Sequence, residues 1–129
     1  GDVQTLTEAQ EKARTHGLDG IMMGRGILGN PWLFNRNEND SNLHFLPQYF
    51  SKKHADEFDQ SIQERMRVMI EHTFLFEKLY VGKNFAIMKK HFKAYASGFS
   101  SAKELRIRLM ETENAREVEE IVNSMLKMV

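Results

Sequence analysis

The sequence predicts a mainly α chain: a C-terminal four-helix bundle, preceded by the last βα and β elements of a (β/α)8 barrel. Three observations predict this. From Ser61 onward, apolar residues recur at helical spacing in four blocks, each opened by a capping residue. Before Phe34 stand one helical pattern and one short apolar run, and a single helix and strand cannot bury each other's faces. Between them the stretch "NRNENDSN" is polar and aperiodic. The expected organisation is therefore a barrel end over 1–35, a linker over 36–58 and a helical domain over 59–129.

The first helix is expected from Thr5-x-x-Glu8, a capping box in which hydroxyl and carboxylate each satisfy a backbone N–H. Leu6, Ala9 and Ala13 follow at helical spacing, and Gly17 fits just past the end. Gly20-Ile21-Met22-Met23 is continuously apolar, as in a strand covered on both faces, and Gly1-Asp2-Val3 reads as the end of the preceding strand. Asn30-Pro31 reads as a helix start, with Trp32, Leu33 and Phe34 as its apolar load. The linker's "LHFLPQYF" adds apolar residues that would dock it on a neighbour.

Ser61-x-x-Glu64 opens the first bundle helix, whose stripe is Ile62, Met66, Met69, Thr73, Phe76 and Tyr80, with Gly82 as its stop. Asn84 caps the second, with Phe85, Met88, Phe92 and Tyr95 inward and Gly98 at its end. Ser101-x-x-Glu104 opens the third, with Ala102, Leu105 and Leu109. Asn114-x-x-Glu117 opens the fourth, with Val118, Ile121, Val122 and Met125. Short connections imply antiparallel neighbours.

Composition narrows the function classes. No apolar run approaches the ~20 residues that span a bilayer, and no basic-then-apolar leader opens the chain. Cysteine is absent, which excludes disulfides, thiolate metal sites and a cysteine nucleophile within this chain and agrees with a cytoplasmic location. Glu71 and His72 match no metal-ligand spacing with another histidine, so no metal is expected. The net charge of zero conceals a block over 62–110 with ten Lys/Arg against four Asp/Glu, net +6, between acidic flanks. Such a block suits a local anionic partner.

Gly24-Arg25-Gly26 directly follows the expected strand. Glycines permit a tight turn and close backbone approach, exposed N–H groups favour an anion, and Arg25 adds a forked donor for phosphate. A solvent-exposed turn is the plain alternative. Placement favours the anion, because (β/α)8 barrels often build a phosphate site from the loops after their last two strands.

These residues carry a resemblance. "GDV" followed by an "EA" helix, then "GLDGIMMGRGILGNPWLF", resembles the barrel end of the tRNA-dihydrouridine synthases. "IEHTFLFEKLYVGKNFAIMKKHFKAYASGFSSAKELRIRL" is similar to the C-terminal helical domain of the bacterial-type members. The resemblance covers the chain except the linker. It implies a flavoprotein with an FMN-binding barrel that reduces the C5–C6 bond of uridines in tRNA, with NADPH as electron donor. It also implies FMN phosphate binding by Gly24 and Arg25, a turn shaped by Gly26, and a role for Asp2 through its backbone N–H or by orienting Arg25. The family's acid is a cysteine, which this chain lacks, and no catalytic residue is assigned. The sequence thus looks like a C-terminal fragment, expected to be inactive alone and to hold FMN poorly or not at all. An apolar patch of Ile21, Met22, Met23 and Trp32 would then favour self-association.

The basic block supplies the second candidate site: Lys83, Lys89, Lys90, His91, Lys93 and Arg106, together with Lys103 and Arg108. Lys89 and Lys93 are i,i+4 and Lys90 and Lys93 i,i+3, so they share one side of a helix. A cationic strip on a bundle suits a phosphodiester backbone, read by shape more than by sequence. The resemblance makes that partner tRNA. A solvated helix face is the alternative for the lysines, and packing is the alternative for His91, Tyr95 and Trp32. A stand-alone helical RNA-binding module and a helical protein-interaction domain remain the competing functional classes.

Overall fold

The computed structural model describes residues 2–34 and 60–127, and the linker expected at 36–58 lies outside them. The described residues are mainly helical: α1 (Leu6–His16), a 3-10 turn (Arg25–Ile27), α2 (Gln60–Leu79), a second 3-10 turn (Phe85–Met88), α3 (Lys89–Tyr95), α4 (Ala102–Met110) and α5 (Ala115–Lys127).

Thr5 caps α1 from an extended backbone, its Oγ1 accepting the Glu8 N–H at 3.1 Å. The Glu8 carboxylate returns to the N–H of Gln4 at 3.0 Å, one residue earlier than a capping box requires. Lys12, one turn on, also bonds that carboxylate and, with the Gln4 N–H, holds it below the usual carboxylate range. At the other end Gly17 takes φ 60, and the Leu18 N–H reaches the Ala13 carbonyl at 2.9 Å.

Neither expected strand forms among the described residues. Residues 2–4 and 20–23 carry no regular structure, and Met22 is 84% exposed. The physical reason is that a strand is defined by a laddered neighbour, and no described residue supplies one. The helix expected at Asn30-Pro31 is also absent. A single turn stands there, closed by the Leu33 N–H on the Asn30 carbonyl at 3.2 Å in place of a side-chain cap. Val3 and Leu33 are nevertheless buried, and both approach the 3-10 turn at Gly26.

In residues 60–127 the apolar stripes become one core. Met66, Met69, Met88, Phe92, Leu105, Leu109 and Val118 are fully buried there. Each large side chain contributes roughly 1.5–3 kcal/mol on leaving water. α2 packs on α3 and α5, and α4 packs on α3 and α5. α2 begins at Gln60, one residue ahead of the expected cap, and its stripe stays inward to Phe76 while Tyr80 is exposed. Thr73, polar but fully buried, donates to the Met69 carbonyl one turn back.

Asn84 caps as expected, its Oδ1 accepting the Ala86 N–H at 2.9 Å, but it opens the 3-10 turn that leads into α3. Asn114 caps α5 through the Glu117 N–H at 2.9 Å. Ser101 precedes α4 without a side-chain cap, because its backbone (φ −85, ψ 4) is not the extended one from which a hydroxyl reaches the following N–H groups.

Among the described residues the N-terminal segment approaches this core closely at Gly29. Gly29 has φ 79, and a Cβ there would stand 2.6 Å from the Ala94 carbonyl oxygen of α3. The turn backbone therefore lies directly on the helix that carries Lys89, Lys90 and Lys93.

Candidate functional site

The 3-10 turn brings three of the expected cofactor-site residues together with Asp2. An added Cβ on Gly24 meets nothing within 4 Å, so that side of the turn is open. On Gly26 it would stand 2.9 Å from the Val3 carbonyl oxygen, so the absent side chain lets the turn rest on the Asp2–Gln4 segment. Arg25 forms an ion pair with Asp2, and both side chains are largely exposed. An open glycine backbone beside an outward guanidinium fits a phosphate group. The Asp2 carboxylate would repel that phosphate, but in this position it holds the guanidinium in place.

The basic residues divide by type. Lys83, Lys90 and Lys93 are exposed and Lys89 is half-buried. Among the described residues none of the four pairs with a carboxylate, whereas Lys12, Arg67 and Arg116 each do. The arginines are committed to the scaffold. Arg106 donates to the Ala96 carbonyl at 2.6 Å, and Arg108 donates to Ser124 Oγ at 3.3 Å. Arg106 therefore satisfies the C-terminal end of α3, where a cation is favoured. Lys103 is exposed on α4.

His91 is half-buried against His72 of α2, ring centroids 4.9 Å apart and edge to face. His72 Nδ1 lies 3.2 Å from the Tyr95 hydroxyl. Burial lowers the pKa of both imidazoles, and for His91 the neighbouring His72 and then Lys90 lower it further. Burial raises that of Tyr95. Among the described residues no group of three or more His, Cys, Asp or Glu could hold a metal ion, and no helix is long and apolar enough to cross a membrane.

The family model for dihydrouridine synthase (Dus) matches residues 1–129. The chain belongs to the dihydrouridine synthase family. A Staphylococcus epidermidis protein named "Probable tRNA-dihydrouridine synthase" is 31% identical over 126 residues, covering 96% of this chain and 33% of the relative. A Rickettsia typhi protein of the same name is 32% identical over 110 residues, 82% of this chain and 30% of its own. A Staphylococcus aureus one is 26% identical over 123 residues. The chain spans about a third of the length of these curated relatives. No solved structure gives a significant match.

In this chain of the dihydrouridine synthase family, sequence reasoning overlooked two polar residues that tie distant segments together. Arg65 of α2 is 3% exposed, donates to the Ser97 carbonyl at 2.9 Å and sits over the Phe99 ring. With Arg106 it fixes the exit of α3 from two sides. Glu77 of α2 accepts the Ala115 N–H at 2.7 Å, capping α5 from another helix. Neither partner is close in sequence, and no local pattern marks such a contact.

Proposed function

We propose that the chain is the C-terminal part of an FMN-dependent tRNA-dihydrouridine synthase, an oxidoreductase of tRNA processing that reduces uridine to 5,6-dihydrouridine with NADPH as electron donor. The helical region 59–129 is its tRNA-binding domain, and residues 1–35 are the closing elements of the (β/α)8 barrel. FMN, when bound, supplies hydride transfer to the base. This chain's own residues would hold the cofactor's phosphate end: Gly24 through its open backbone and Arg25 through its guanidinium, with Gly26 shaping the turn and Asp2 orienting Arg25. The chain has no cysteine to act as the acid and so is inactive by itself.

The observation that carries the RNA part of the reading is the set of lysines on and beside α3 that have no carboxylate partner among the described residues. Uncompensated ammonium groups on a helix pinned at its C-terminal end suit a phosphate backbone. The test is tRNA binding by the wild-type chain and by Lys89→Glu with Lys93→Glu. The double variant is expected to bind at least ten-fold more weakly at low salt with unchanged helical circular dichroism, and wild-type affinity is expected to fall steeply as salt rises. Unchanged affinity would favour a protein-interaction domain, for which the exposed Leu79-Tyr80-Val81 run offers a surface.

A further inference from the structure

His72, His91 and Tyr95 do more than fill space between α2 and α3. Above them the turn at residues 27–31 leaves a cavity of about 410 Å³, walled by Ile27, Leu28 and Leu75 and floored by the two imidazoles and the tyrosine. A volume of that order takes a small organic group. Three chemistries could be imagined there, and the lining decides among them. A metal ion lacks a sufficient donor set among the described residues. A phosphate or carboxylate is disfavoured, because burial works against the charged form of both imidazoles and the acidic Glu71 lines the same cavity. What fits is a neutral planar ring, which stacks on imidazole and leucine and exchanges hydrogen bonds with ring nitrogens and a hydroxyl. Lys90 lies close enough to His91 to act on its imidazole electrostatically, so a phosphate held by Lys90 leaves its own nucleoside near the cavity.

We infer that this cavity is a subsite for one unstacked nucleobase of the RNA whose phosphates the α3 lysines hold. The inference rests on the proposed RNA-binding role and adds a base-dependent component to an otherwise backbone-dependent grip.

The test compares two ligands of equal charge by fluorescence anisotropy on the 129-residue chain: a single-stranded uridine hexanucleotide and an abasic ribose-phosphate hexamer. The wild-type chain is expected to prefer the oligouridine by about five-fold or more, the effect of one stacked base. His91→Ala should abolish the preference. Leu75→Trp fills the cavity from an exposed wall position without changing charge, and should do the same even if His91→Ala is poorly folded. Equal affinity of the wild-type chain for both ligands overturns the subsite while leaving the lysine-based reading intact. A preference that survives in both folded variants puts the stacking elsewhere and also overturns it. No binding to either ligand, with the chain folded, removes both the subsite and the RNA-binding reading beneath it.

Discussion

Residue identity at 72 and 91 sets an acid limit on stability. An unfolded imidazole titrates near ~6.5, and both His72 and His91 are lowered from that value in the fold, chiefly by burial. Below that value the unfolded chain binds more protons than the folded one, so stability rises with pH there. The histidine contribution is complete above ~6.5 and is lost as pH falls through the lowered folded values. The groups around the pair are Lys90 and Tyr95 on α3 and Glu71 on α2. Urea unfolding is expected to show a lower midpoint at pH 5.5 than at pH 7.5, and His72→Gln with His91→Gln should flatten that difference. Glu8 and Glu64, lowered by Lys12 and Arg67 respectively, act in the carboxylate range at lower pH and leave this window unchanged. From sequence, His91 was open to packing or to RNA contact. Its pairing with His72 was invisible, because the two rings meet only once α2 and α3 are side by side.

At the scale of elements, what was legible was local. The stripes of α2 to α5 and the caps at Thr5, Asn84 and Asn114 depend on residues two to four apart, and local sequence pattern reports such neighbours. The misread elements needed partners from afar. Ile21–Met23 has a buried strand's composition, but pairing makes a strand, and no described segment pairs with it. The cap of α5 shows the same limit in a favourable contact, since Glu77 is 38 residues from Ala115. Its carboxylate meets the positive end of α5, so Glu77→Ala should lower stability by about 1–2 kcal/mol in urea unfolding. Glu77→Gln keeps an acceptor at that place and should recover most of the loss.

The whole molecule depends on whether residues 2–34 are seated on the helical region. Gly29 against Ala94 tests this, with Gly82 as control. Both glycines have φ near +80, so an alanine at either is strained by about 1–2 kcal/mol. Only at position 29 does the new methyl also meet backbone, 2.6 Å from the Ala94 oxygen; at 82 it meets open space. Hydrogen exchange of the Asn30 and Leu33 amides, which close the turn, should accelerate in Gly29→Ala and stay unchanged in Gly82→Ala. The family was legible in the sequence because its motifs are contiguous, whereas the seating of one segment on the other was not, since no motif encodes Gly29 against Ala94. The division between tied arginines and lysines that have no carboxylate partner among the described residues has one more consequence. A guanidinium imposes a planar, two-pronged geometry on a phosphate, whereas an ammonium is a hydrated point charge that accepts many approach angles. A polyanion arriving at α3 would therefore be retained without being oriented. Its strand could shift by a nucleotide at little loss, and correct registration would fall to whatever feature distinguishes one nucleotide from the next.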